Sequence, residues 1–283
     1  MIEETDYQEI LFEVKDDVAW ITINRPEVMN AFREQTLDEL INAVRSTRED
    51  PSLVAAVITG AGDRAFSAGG DLDWLRLRTR DTPSRNSKIM HDFYNKFLRV
   101  REIPIPVICA LNGAAIGAGF CFAMACDIRI ASEKAKLGFT FVGLGLHPGM
   151  GATHLIASIA GMEVAMRMLL TGDIVSGKEA KELRLVSQTT PDGESAQKAA
   201  MELAARIASQ GPIAVRATVR SLRMKQDEGL DKALWREADA QSYGYSTEDC
   251  REGIEAVAEK RKPNFIGYES YADTDPPPMP SKL

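Results

Sequence analysis

The chain has 283 residues, 45% hydrophobic and 27% charged, the make-up of a globular protein with enough apolar side chains to bury a large core. Its 34 basic against 41 acidic side chains give a formal charge of -7, which argues against nucleic acid or an anionic membrane as partner and favours a small ligand. Cys109, Cys121, Cys126 and Cys250 show no metal-ligand spacing and read as reduced thiols, no metal is expected, and no segment has the pattern of a signal peptide or a membrane span.

Val18–Ile23 is β-branched and apolar, so it reads as a buried strand ending at the turn Asn24-Arg25-Pro26. Leu37, Leu40, Ile41 and Val44 share one face of a following helix. A second strand over 54–59 leads through Gly60-Ala61-Gly62 to Phe66-Ser67-Ala68-Gly69-Gly70-Asp71-Leu72, a glycine turn before a helical segment. Residues 76–90 are polar and aperiodic and read as a mobile surface connection.

Further strands are expected over 107–111 and 128–131, and Asp127 should have a structural role where helix meets strand. Strands separated by helices or glycine turns indicate an α/β fold with buried sheets. Beyond residue 150 the pattern becomes helical, with a capping box at Ser176 and Glu179 and amphipathic segments near 194–209, 213–226, 230–243 and 248–261. Asp273 to Pro280 is proline-rich and precedes Ser281-Lys282-Leu283, which is either a peroxisomal address read by an import receptor or an accidental tripeptide.

The chain is organised around Cys109 to Asp127, where a strand runs into Gly113, Gly117 and Gly119 and then into an alanine-rich apolar helix. Such glycines either allow close helix–strand packing or present backbone N–H groups to a developing anion. With Gly69-Gly70, two such turns stand before helices, and amides from both could meet at one carbonyl oxygen.

At these residues the sequence resembles the crotonase family of enoyl-CoA hydratases and isomerases. Asn24 to Ala31 is similar to its first CoA-contacting segment, Phe66 to Leu72 to its first oxyanion turn, and Asn112 to Asp127 to its second. Pro148 to Thr153, Leu170-Thr171-Gly172 and Glu252 to Phe265 continue the likeness, which spans roughly residues 8–268. The resemblance implies an α/β spiral of ββα units over 1–200, a helical trimerisation region over 201–268, and a flexible tail over 269–283. It implies homotrimers or hexamers, coenzyme A as part of the substrate, and no prosthetic group.

The substrate would be an acyl-CoA thioester whose carbonyl oxygen meets the N–H groups of Gly70 and Ala118. Ala68, Asp71 and Leu72 would flank pantetheine and adenine, Val28 and Met29 would pack on the adenosine side, and Lys260 would reach CoA phosphates. The chain departs from the pattern at the two glutamates used by the family's hydratases, which align with Cys121 and Phe141. The aspartate of the dienoyl isomerases aligns with Gly149.

Two side chains stand in as candidates. His147 is either a proton shuttle or a loop histidine bonded to backbone, and Asp73 either faces the acyl pocket or stabilises its helix dipole. His91 and His154 read as packing or helix-surface residues, and Cys121 as a buried thiol. The expected activity is an enolate reaction of acyl-CoA metabolism. The alternative is a catalytically weak acyl-CoA-binding protein.

Overall fold

The computed structural model describes residues 7–267, so the Ser281-Lys282-Leu283 tripeptide and its lead-in lie outside the described residues. Strands β1 (Ile10–Lys15) and β2 (Val18–Ile23) form an antiparallel pair. Helix α1 (Glu34–Glu49) follows, burying Leu37, Leu40 and Val44 along one stripe.

Strands then come in consecutive pairs, β3 (Ala55–Gly60) with β4 (Ala65–Ser67), β5 (Val107–Leu111) with β6 (Ala114–Ile116), and β7 (Ile128–Ser132) with β8 (Lys136–Gly138). The first of each pair joins a six-stranded sheet ordered β1-β2-β3-β5-β7 and then β10 (Gln188–Thr190). The second joins a four-stranded sheet ordered β4-β6-β8 and then β9 (Ile174–Ser176). Apart from β1–β2 and β8–β9, neighbouring strands run parallel.

Each turn of the chain thus adds a strand to both sheets, which is the spiral the sequence implied. Every residue of β2, β3 and β5 is buried. That explains why these strands are continuous apolar runs without alternation.

Between the first two pairs lie α2 (Leu72–Arg78) and α3 (Pro83–Leu98). The segment 76–90, expected to be a surface connection, is therefore corrected to the end of one helix and the start of another. Thr82 caps α3 by accepting from Arg85 N, Pro83 occupies its first turn, and Asn86 Nδ2 donates to Arg78 O at 2.7 Å. The apolar face of α3 begins only at Met90 and continues through Phe93, Tyr94 and Phe97, so its polar first half hid the helical period.

Helix α4 (Ala118–Ala125) runs through the interior with every residue buried, which is why it carries no polar face. Helices α5 (Ala152–Ala160), α6 (Met162–Thr171) and α7 (Gly177–Glu182) follow, the last with the expected Ser176–Glu179 capping box. The chain closes with α8 (Gly193–Ala208), α9 (Pro212–Gln226), α10 (Leu230–Tyr245) and α11 (Glu248–Ala258).

Arg223 is the buried residue of α9 and anchors it. Its guanidinium donates to Asp127 Oδ1 at 2.8 Å and to the carbonyls of Arg101 at 2.7 Å and Ile103 at 2.5 Å. Asp127 Oδ2 in turn accepts from Val107 N at 2.7 Å, so this carboxylate ties the end of α4, the start of β5 and the C-terminal helices together.

Candidate functional site

Strand β4 leaves the sheet through Ala68-Gly69-Gly70 and enters α2, where Asp71 accepts from the N–H groups of Asp73 and Trp74. Gly69 has φ +98, and a Cβ there would stand 2.6 Å from Ile116 O, so only glycine fits the turn. Phe32 pairs alongside it, with Phe32 N donating to Gly69 O at 2.7 Å and Asp71 N to Phe32 O at 3.0 Å. This bridge turns the Gly70 N–H to the opposite side.

The second turn joins β6 to α4 at Gly117, whose φ of 52 and ψ of -119 are again a glycine conformation. Its N–H donates to Gly138 O at 2.9 Å, which pins the turn to β8. Ala118 opens the helix and its N–H has no intrahelical acceptor. The Cβ position of Gly69 lies 3.4 Å from Ala118 N, so the two turns are in contact.

Buried amides hold the turns in register. Asn112 Oδ1 accepts from Gly60 N at 3.1 Å while its Nδ2 donates to Gly62 O at 2.9 Å. Asn30, fully buried, donates to Ala61 O at 3.0 Å and Ala65 O at 2.8 Å. Ala68 N donates to Met29 O at 2.9 Å, which lays Val28 and Met29 beside the first glycine turn.

Gly70 and Ala118 both line a cavity of about 200 Å³. Its other walls are largely aromatic and aliphatic, including Leu72, Trp74, Phe93 and Phe141, and Ala68 forms part of its rim. The C-terminal helices close it with Gln241, Tyr245 and Val257. Among its described lining residues there is no carboxylate, imidazole, lysine or arginine.

Three polar side chains of the lining form one network. Tyr94 Oη donates to Gln241 Oε1 at 2.5 Å, Tyr245 Oη donates to the same oxygen at 3.4 Å, and Gln241 Nε2 donates to His147 O at 2.7 Å. Burial pushes both phenols well above their ordinary range, so each is neutral.

The two candidate proton carriers are not brought to the amides. Asp73 has an 88% exposed side chain paired with Arg76 at 2.9 Å. His147 has Nδ1 2.6 Å from Pro148 O and lines a separate groove with Ala240, Thr247 and Asp249. Burial lowers its pKa, leaving a neutral ring held by backbone.

His154 meets Gln226 O at 2.7 Å and His91 stacks on Trp235. Cys121 is buried with Sγ 3.6 Å from Gly149 O, and burial pushes its thiol up and out of nucleophilic range. Asp71 is committed to its cap and lies 3.9 Å from Arg25. Lys260 is exposed just past α11, beyond Val257 of the cavity wall.

Tyr94, Gln241 and Tyr245 were not read as site residues from the sequence. The available signal was the spacing of Met90, Tyr94 and Phe97 on one helical face. Glu237 of α10 was also missed. Its buried carboxylate accepts from Gly151 N at 2.6 Å and Thr153 N at 2.8 Å, joining α10 to the turn that begins α5. Among the described residues no cluster of His, Cys, Asp and Glu is grouped to hold a metal ion.

Comparison with known proteins gives one answer. The model of the enoyl-CoA hydratase/isomerase family matches residues 13–268. The chain is 35% identical to a crotonyl-CoA hydratase of Syntrophomonas wolfei over 264 residues, covering 92% of this chain and 98% of that protein. It is 34% identical to a 1,2-epoxyphenylacetyl-CoA isomerase of Escherichia coli, covering 91% and 98%. A crystal structure of an enoyl-CoA hydratase from Mycobacterium avium subsp. paratuberculosis superposes with a TM-score of 0.78 at 29% identity, over 91% of this chain and 98% of that one.

Proposed function

This chain belongs to the enoyl-CoA hydratase/isomerase family, and from that premise we propose that it binds an acyl-CoA thioester and reacts it through an enolate whose oxygen sits between the N–H groups of Gly70 and Ala118. The observation that carries the reading is the contact between the two glycine turns at the wall of one apolar cavity. Neither N–H has an acceptor among the described residues. Fixed donors in a site that excludes water act on a developing oxyanion more strongly than water does, each contributing on the order of 10²–10³ in rate.

The largely apolar cavity wall suits an apolar acyl group. Ala68, Asp71 and Leu72 would flank the pantetheine and adenine, with Val28 and Met29 on the adenosine side and Lys260 at the CoA phosphates. Coenzyme A enters as part of the substrate, without a prosthetic group. Cys121 and Phe141 supply no carboxylate, so the proton route differs from that of a glutamate pair.

We read 1–200 as the spiral core and 201–268 as the region that makes trimers, which pair into hexamers. Met162, Met166 and Leu170 form an exposed apolar stripe on α6, and Ile213, Leu222 and Met224 are exposed on α9. Such faces support self-association. In a eukaryotic cell the 269–283 tail would address the protein to the peroxisome, for acyl-CoA or fatty-acid breakdown. In a bacterial cell, the source of the relatives compared above, it would work in the cytoplasm.

The test is turnover of crotonyl-CoA and of a 3-enoyl-CoA by the purified chain, with acyl-CoA binding measured by calorimetry. Product from either substrate supports the reading. Tight acyl-CoA binding with no product at high enzyme concentration overturns it in favour of a binding protein. Light scattering of wild type against Met166→Asp tests the trimer.

A further inference from the structure

The cavity poses a chemical problem. Enolate chemistry on a thioester moves a proton to or from carbon, yet the described lining holds no carboxylate and no imidazole. The proton-bearing side chains in the lining are Trp74, Tyr94, Thr140 and Tyr245, with the amide of Gln241. A phenol is far more acidic than an indole N–H, an aliphatic hydroxyl or an amide, which narrows the choice to the two tyrosines.

Geometry separates them. Tyr94 Oη stands where a Cβ on residue 149 would be, pressed onto the Pro148-Gly149 turn. It is also the closer of the two phenols to the shared Gln241 Oε1, at 2.5 Å against 3.4 Å. The Gln241 amide is oriented by its Nε2 bond to His147 O, so its Oε1 can only accept. The hydroxyl of Tyr94 is therefore held at a defined place, on a ring that forms the cavity wall.

We propose, building on the acyl-CoA reading above, that Tyr94 is the catalytic proton relay of this site, its hydroxyl exchanging protons with the reacting carbons of the thioester. In the hydration direction, water oxygen bonds to C3 of a 2-enoyl thioester and the C2=C3 electron pair moves toward the carbonyl oxygen held by the Gly70 and Ala118 amides. As the carbonyl re-forms, C2 takes the Tyr94 proton, and the Tyr94 oxygen takes a proton from the attacking water. One O–H of water, the O–H of Tyr94 and the C2=C3 π bond break, while a C–O bond, a C–H bond and a new Tyr94 O–H form.

The phenol begins and ends neutral. That matters because no described cation lines the cavity to hold a tyrosinate, and burial disfavours the charged form. The Gln241 bond releases when the hydroxyl rotates toward substrate, a small cost because it is one neutral hydrogen bond.

The experiment compares wild type, Tyr94→Phe and a chain with 3,5-difluorotyrosine at position 94, measuring kcat and KM on crotonyl-CoA and acyl-CoA affinity by calorimetry. The relay predicts that Tyr94→Phe lowers kcat by about 10²–10⁴, the usual worth of a positioned acid–base group, with KM and affinity changed less than threefold. The fluorinated phenol keeps the packing but is more acidic, so proton transfer through it changes kcat by more than threefold with acyl-CoA affinity unchanged. A packing role would leave its kcat within threefold of wild type.

Tyr94→Phe with kcat within threefold of wild type overturns the relay and leaves the acyl-CoA reading standing. Should Tyr94→Phe fail to fold, the fluorinated chain decides by its kcat alone. A wild type that binds acyl-CoA but turns over neither substrate overturns the enzymatic reading and the relay with it.

Discussion

Gly69→Ala perturbs the first glycine turn, the proposed oxyanion site, without touching any side chain of the cavity. The added Cβ would stand 2.6 Å from Ile116 O, against 3.4 Å for an ordinary contact, so the turn must yield by about 0.8 Å. Ile116 O lies on β6, next to the Gly117 turn, and the Gly69 peptide leads directly into the Gly70 N–H. Moving that donor by about 0.8 Å takes a hydrogen bond of roughly 2.9 Å past the range where it stabilises charge. The loss of one oxyanion donor costs about 10²–10³ in kcat. Alanine at φ +98 adds strain of roughly 1–3 kcal/mol, read as a loss of stability in urea. Steady-state kinetics on an enoyl-CoA and denaturant titration measure the two effects. A variant with kcat within fivefold of wild type would refute the placement of the oxyanion at this turn.

Arg223→Ala removes the guanidinium that pairs with Asp127 and satisfies the carbonyls of Arg101 and Ile103, and it should destabilise the chain by about 3–5 kcal/mol in denaturant titrations. A cost below 1 kcal/mol would mean that α9 is anchored elsewhere. At Glu9, burial opposes the charge, but bonds from Arg33 and Thr36 and the Arg25 charge outweigh it, holding the carboxyl below its ordinary 4.5. Its stabilisation is therefore complete above pH 4.5 and is lost as pH falls through the lower folded value, so Glu9→Gln should flatten the acid limb of stability against pH. For the reaction itself, kcat should be level between about pH 5 and 8, because no described carboxylate or imidazole lines the cavity. An acid limb in that window would bring one of those groups into the chemistry.

Much of the fold was legible because its signals are local. Buried strands are continuous apolar runs, and the capping box at Ser176 and Glu179 declares a helix start. The two glycine turns were legible for the same reason, since a glycine between a strand and a helix marks a backbone constraint within a few residues. The segment 76–90 misled because the apolar face of α3 starts late and its first turn is polar. The cavity network could not be read at all. Tyr94 and Gln241 are 147 positions apart, and nothing near either residue announces the other. His147 and Asp73 lie outside the cavity lining for a related reason: closeness along the chain to a glycine turn does not fix which way a side chain points.

These differences have one physical root. Backbone amides are positioned by strand pairing and helix starts, which any sequence preserving the turns will reproduce, so the paired glycine turns survive changes in the side chains around them. Proton-transfer groups depend on side chains from distant elements converging on one point. Here Cys121 is sealed against Gly149 O, Phe141 widens the apolar wall, and the polar group that reaches the Gly149 turn comes from α3, braced by α10. Replacing carboxylates by neutral groups removes the desolvation cost of buried charge, while a drier wall strengthens the pull of the Gly70 and Ala118 amides on a developing oxyanion. A site of this kind moves its proton through a neutral group and keeps its electrostatic contribution, so its rate should rest on the two amides together at least as heavily as on Tyr94.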